Sequence, residues 1–209
     1  MQEATMKVWT SVFIILLLSF SSSGYAKTSL QQQAKVIYEE TKLKKHLDFN
    51  IFMTAYKEHV RVADKPIMSI IDYSKPSNNR RFFIIDTDKK KLLYHTFVSH
   101  GINSGNLYAT QFSNIVDSKQ TSLGTYRVAE AYHGKYGLSL RLDGMSPSNS
   151  NARKRAIVLH GAKYAEPSTI KKLGMLGRSW GCPAIPMKLT KKVVNLLKEG
   201  GSIYAHARS

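Results

Sequence analysis

The 209-residue sequence predicts an α+β domain, strand-rich through its middle with helices at both ends. Two observations carry this reading. Apolar residues recur at three- and four-residue steps near residues 30–57 and again at 188–198, the spacing of a helix with one buried face. Between them, from Pro66 onward, short β-branched and aromatic runs are separated by Gly, Pro, Ser and Asn clusters, the texture of strands and turns. No internal repeat, low-complexity tract or linker marks a second large domain. The expected organisation is a leader over 1–26, a helical segment over 27–65 and a catalytic-type domain over 66–209.

The leader is read from Val12 to Leu18, an apolar run followed by small residues ending Gly24-Tyr25-Ala26. That is the layout of a signal peptide cut after Ala26. The run is far short of the ~20 residues a spanning helix needs, so no stable transmembrane anchor is expected. The basic start reads better from Met6, beside Lys7, than from Met1. The cut would remove Glu3 and Lys7 and leave the formal charge of +17 unchanged. Such a charge calls for an anionic neighbour. Export turns the choice from nucleic acid to an anionic wall polymer, with a periplasmic or cell-wall location.

The elements follow in order. Leu30, Ala34, Ile37 and Tyr38 form one helical stripe; Asp48 caps a second helix whose apolar face is Phe49, Phe52, Ala55 and Tyr56. Strands are expected at 67–71, 81–86, 92–99, 124–131, 138–142 and 156–160, with a turn over 74–79 and a loop over 144–151. Leu189, Val193, Leu196 and Leu197 give the last helix, stopped by Gly200-Gly201 before a short strand at 203–205.

A single cysteine, Cys182, excludes an intrachain disulfide and a cysteine-based zinc site, and no metal or cofactor is expected. An unpaired thiol in an exported protein is either buried and inert or reactive. Cys182 sits in Gly177-Arg178-Ser179-Trp180-Gly181-Cys182-Pro183, and His160-Gly161 closes an apolar strand twenty-two residues earlier. A thiol with an imidazole is the kit for acyl transfer, since the base raises the small thiolate fraction present at neutral pH. Gly181 leaves the backbone open, so the Gly181 and Cys182 amides are candidates for an oxyanion hole. Arg178 adds positive charge that favours the thiolate.

These residues resemble the L,D-transpeptidases, cysteine enzymes of the YkuD-type fold, and most closely the murein L,D-transpeptidase catalytic domain subfamily. The likeness rests on His160-Gly161 and Ser179-Trp180-Gly181-Cys182. It extends to Ser99-His100-Gly101, Phe112-Ser113-Asn114, Ser122-Leu123-Gly124, Tyr132-His133-Gly134-Lys135 and Arg155 through Ala162. It implies a strand-rich β-sandwich catalytic domain acting on peptidoglycan stem peptides. By this resemblance Cys182 is the nucleophile, His160 the base, and the Gly161 carbonyl the group that orients the imidazole. Trp180 joins the oxyanion hole, and Arg178 and Ser179 shape the loop or bind a stem carboxylate; apart from the resemblance, His100 is a candidate to line the substrate cleft or a loop histidine with a structural hydrogen bond, and Tyr164 a candidate substrate contact or a packing residue. Release of D-alanine would leave an acyl-enzyme, resolved by a second stem (transpeptidation) or by water (carboxypeptidation).

The sequence departs from the commoner family pattern at Trp180, at Pro183-Ala184 and in a longer His-to-Cys spacing, which leaves the carboxylate clamp open. Two other cysteine enzymes fit less well. A wall endopeptidase of the NlpC type carries its cysteine ahead of its histidine. A sortase needs an arginine soon after the cysteine, and the next one here is Arg208. A non-enzymatic alternative is a cationic wall-binding protein on an inactive domain of this fold.

Overall fold

The computed structural model describes residues 29–208; the expected signal peptide lies outside the described residues. Two helices open the described residues. Helix α1 (Leu30–Glu40) begins at Ser29, whose side chain accepts from the Gln32 amide while the Gln32 side chain accepts from the Ser29 amide. Helix α2 (Phe49–Val62) begins at Asp48, whose carboxylate accepts from the Asn50 amide. Between them Lys42 adopts a left-handed conformation and starts a 3-10 turn that seats Leu43 and Leu47 in the core.

Eight strands follow: β1 (Ile67–Asp72), β2 (Phe82–Asp86), β3 (Lys91–Thr96), β4 (Gly124–Gly134), β5 (Gly137–Gly144), β6 (Val158–Gly161), β7 (Ala184–Ile185) and β8 (Ser202–His206). Helices α3 (Pro167–Leu173) and α4 (Met187–Leu197) fall between the last strands. The strands form one mixed sheet in the order β3-β2-β1-β8-β4-β5-β6-β7, with β1–β8 and β6–β7 parallel. The chain beyond β3 then bridges back, Ser99 to Ala184 and Gly101 to Ser179. The expected sandwich is thus a single sheet that curls until its two ends meet, barrel-like.

The sheet's curl on one face and helices α1 and α2 on the other explain the apolar runs of β1 and β2, which are buried at every position. Ile67, Ile71, Phe82 and Ile84 face the main core with Val128, Leu140, Leu159 and Ile203, into which α4 packs Val193, Val194 and Leu197. Met68, Ile70, Phe83 and Ile85 face the other way, onto Ile37, Tyr38, Phe52 and Tyr56 of α1 and α2. A strand covered on both faces loses its alternation and reads as a continuous hydrophobic stretch.

Several boundaries differ from the sequence reading. Strand β3 ends at Thr96, because Val98–Gly101 leaves β2 to meet the cysteine loop. Strand β6 starts at Val158, because Ala156 takes a positive φ of 52° in the turn before it. Helix α3 escapes hydrophobic periodicity because none of its residues is buried. Its signals are of another kind: Pro167 in the first turn and Gly174, left-handed, at the end.

Candidate active site

The parallel pairing of β6 with β7 sets the site. His160 lies opposite Ala184, and Gly161 opposite Ile185. Two residues back on each chain stand Val158 and Cys182, and there the Val158 amide donates to the cysteine Sγ at 3.5 Å. Side chains two residues apart on a strand share a face, so Val158 and His160 point the same way, about 6.6 Å apart along β6. The thiol is thus bonded to the strand that carries the imidazole, two residues before it, although twenty-two residues separate Cys182 and His160 in sequence. Cys182 is partly exposed, and its thiol also approaches the Ala156 carbonyl at 3.7 Å.

Burial pushes the Cys182 thiol above its ordinary value, opposed by the Val158 amide and by the charge of Arg155. The thiol is accordingly protonated at rest near neutral pH and needs a base to become a nucleophile. His160 is buried, and that burial holds its imidazole below the usual histidine range, opposed by its bond to Gly161. It is neutral at pH 7. Its Nδ1 lies 3.1 Å from the Gly161 carbonyl, which can only accept; Nδ1 therefore carries the hydrogen and Nε2 the lone pair. Tyr136, at the tip of the β4–β5 hairpin, stacks on the ring with centroids 4.5 Å apart, and Tyr164 stands edge-on at 6.4 Å. Gly161 has no room for a side chain: a Cβ there would lie 2.1 Å from Thr190 Oγ1 and 3.2 Å from the Met187 Cα. The first turn of α4 is packed directly on the strand end that holds His160.

The loop before the cysteine is held through its polar atoms. Ser179 Oγ donates to the Cys182 carbonyl at 2.6 Å and accepts from the Gly181 amide at 3.1 Å. The Gly181 amide is thus engaged within the loop. Among the described residues, the amides of Trp180 and Cys182 have no protein acceptor. Gly181 has a φ of 116°, and a Cβ would meet the Gln120 carbonyl at 2.8 Å and Arg155 Nη2 at 3.2 Å. Trp180 is 69% exposed, with Lys119 Nζ 4.9 Å from its ring centre.

Two assignments change on the structure. Arg178 does not supply the charge beside the thiol; its Nη1 donates to Asn106 Oδ1 at 2.5 Å and to the Gly105 carbonyl at 3.4 Å. Arg155 supplies it instead, anchored by Nη1 to the Ser113 carbonyl at 2.6 Å and by Nη2 to the Gln120 carbonyl at 2.5 Å. His100 does not face a cleft. It is fully buried, with Nδ1 2.8 Å from Arg81 Nη2 and Nε2 3.2 Å from the Gly105 carbonyl.

Sequence reasoning missed Arg155 and Tyr136 as site residues. In the sequence Arg155 is read only as the first residue of the run to Ala162, with no role of its own. Tyr136 occupies a two-residue turn between Gly134 and Gly137, where an aromatic residue has no local structural task. That mismatch was the available signal. Among the described residues no group of three or more His, Cys, Asp or Glu could hold a metal, and no helix is long and apolar enough to cross a membrane. A cavity of about 800 Å³ opens elsewhere, between Lys35, Tyr38, Lys44, His46 and Phe49. It contains neither a thiol nor a paired base, and the reactive groups lie outside it.

The family model for the L,D-transpeptidase catalytic domain matches residues 39–206. No curated protein matches the chain. Among solved structures, the helical cell shape determining protein Pgp2 from Campylobacter jejuni is 13% identical, with a TM-score of 0.43, over 70% of this chain and 49% of that one. An L,D-transpeptidase from Mycobacterium smegmatis is 13% identical, with a TM-score of 0.42, over 68% and 59%. An L,D-transpeptidase from Stackebrandtia nassauensis is 12% identical, with a TM-score of 0.40, over 84% and 78%. The chain thus spans about half to three fifths of the length of the first two.

Proposed function

Because the chain belongs to the L,D-transpeptidase catalytic domain family, we propose that it is an exported cysteine acyltransferase acting on peptidoglycan stem peptides, with Cys182 as nucleophile and His160 as base. The observation that carries this reading is the β6–β7 ladder. Pairing of His160 with Ala184 brings the cysteine loop onto β6, where the Val158 amide bonds the thiol two residues before His160, and the His160 Nδ1–H bound to the Gly161 carbonyl leaves Nε2 to take a proton.

In the proposed cycle the stem carbonyl at the L-centre of the diamino acid docks over the loop 180–182. The thiol proton moves to His160 Nε2 as sulfur attacks the carbonyl carbon. The negative charge developing on the carbonyl oxygen is met by the Cys182 and Trp180 amides; each such donor is worth about 3 kcal/mol in a dry site. The C–N bond to the terminal D-alanine then breaks. The departing amine takes the proton from His160, which leaves a thioester on Cys182 and a neutral imidazole. An amine of a second stem, or water, reverses these steps with His160 as base. Tyr136 and Tyr164 wall the imidazole from bulk water, and Trp180 offers an exposed apolar face beside the nucleophile. The excess positive charge favours residence near anionic wall polymers, a pull that salt screens.

Mass spectrometry of muropeptides after incubation with a tetrapeptide substrate tests this reading. Dimers linked between diamino acids indicate transpeptidation, and tripeptides alone indicate carboxypeptidation. Unchanged tetrapeptide, with no acylation of Cys182 by a carbapenem, favours a wall-binding protein and overturns the proposal.

A further inference from the structure

Arg81 is fully buried, yet every hydrogen bond it makes is to a neutral group. Nε and Nη2 donate to the Val98 carbonyl at 3.1 and 2.9 Å, Nη1 to the Lys75 carbonyl at 2.8 Å, and Nη2 to His100 Nδ1 at 2.8 Å. The Tyr73 ring lies 4.9 Å from the guanidinium carbon. The carboxylate of Asp72 bonds to Ser74 and pairs with Lys75 instead. A buried guanidinium without a bonded carboxylate is costly, and for filling space alone an apolar side chain would serve better. The expense is concentrated on one short segment, Val98–Gly101.

That segment is the seat of the cysteine loop. The Ser99 amide donates to the Ala184 carbonyl at 2.8 Å, and the His100 carbonyl accepts from the Ser179 amide at 2.9 Å. The Ile102 amide donates to the Ser179 carbonyl at 2.7 Å. These bonds grip the loop on both sides of Cys182. Arg81 donates to His100 Nδ1, so Nε2 carries the hydrogen given to the Gly105 carbonyl; the ring is neutral, and its tautomer is fixed from behind. The same Gly105 carbonyl receives Arg178 of the cysteine loop.

We propose that the buried Arg81–His100 pair is a positioning device for the nucleophile: it fixes residues 98–102, which in turn fix the loop carrying Cys182. The pair touches neither thiol nor substrate. The inference rests on the acyl-transfer reading of Cys182, and its test separates the two.

The test is His100→Leu, which removes both ring bonds at similar volume, beside His100→Gln, which can accept from Arg81 and donate to Gly105. For folded His100→Leu, kcat for D-alanine release should fall about tenfold or more with KM nearly unchanged, since misplacement of a reacting atom acts on the chemical step. His100→Gln should recover most of the loss. The alkylation rate of Cys182 by iodoacetamide should change in parallel. Should His100→Leu fail to fold, Arg81→Gln, which keeps one donor for Val98, should show the same loss in kcat. Unchanged kcat and alkylation in a folded variant would overturn the positioning role. A wild-type protein that releases no D-alanine overturns the acyl-transfer reading instead, and the alkylation rates still decide the role of the pair.

Discussion

The backbone amide of Val158 donates to the sulfur of Cys182 at 3.5 Å, two residues ahead of His160 on the same strand. The bond ties the thiol to the scaffold that carries the base. It also stabilises negative charge on sulfur, against the burial that raises the thiol pKa. Geometry and acidity are thus set by one strand, and the predictions below follow from what surrounds it.

Arg155 is the cation that the thiol feels. Arg155→Met should raise the Cys182 pKa and slow alkylation at pH 7 severalfold, since a shift of one unit changes the thiolate fraction about tenfold. Arg155→Lys should lie between, because lysine keeps the charge and loses the paired bonds to Ser113 and Gln120. The pH dependence of the alkylation rate reads both. Equal profiles in wild type and Arg155→Met would remove Arg155 from the site.

Tyr136 is half-exposed and stacks on His160. Tyr136→Ala should admit water to the imidazole and move its pKa up toward the ordinary 6.5. His160 must be neutral to act as base, so the acid limb of kcat/KM should move to higher pH by a fraction of a unit. Melting temperature should change little. A pH–rate profile on both proteins decides.

Gly161→Ala should cost about 1–3 kcal/mol, the range for overpacking, because its Cβ would meet Thr190 Oγ1 and the α4 backbone. Thr190 Oγ1 is buried without a hydrogen-bond partner. Thr190→Val should therefore be neutral or stabilising, and Thr190→Ala should relieve part of the Gly161→Ala loss. Urea unfolding of the singles and the Gly161→Ala/Thr190→Ala double variant measures the coupling.

Buried histidines, His160 among them, link stability to pH. Burial lowers both His59 and His100 to about 4, from a usual 6.5. The unfolded chain binds these protons more readily, so stability is full above about pH 6.5 and falls as pH drops toward 4, by roughly 3 kcal/mol per histidine at most. His59→Gln, which can keep a bond to Ser202 Oγ, should shrink the loss. Chemical denaturation at pH 7 and pH 5 tests this; a flat profile would contradict it.

Much of the architecture was legible because its signals are local. Ser29 and Asp48 start their helices through their own side chains, and Gly200, at a φ of 115°, turns the chain into β8 after α4 has ended at Leu197. The curl of the sheet was not legible. It depends on Ser99 meeting Ala184, eighty-five residues apart and without side-chain complementarity to announce it. The same holds for the site. Cys182 and His160 stand out as chemistry in a short motif, but which arginine serves the thiol depends on where the turn before β6 packs. Arg178 is nearer in sequence, and Arg155 is nearer in space. His100 reads as a substrate-site residue because its partner, Arg81, lies nineteen residues away, just before β2.

The most direct test of the central claim is the intact mass of the protein quenched during turnover of a tetrapeptide stem, followed by peptide mapping. The account predicts a mass increase equal to the stem acyl group without its terminal D-alanine, located on the peptide that contains Cys182 and absent in Cys182→Ala, which should release no D-alanine. Undiminished D-alanine release by Cys182→Ala, with no adduct on the wild-type cysteine, would contradict it.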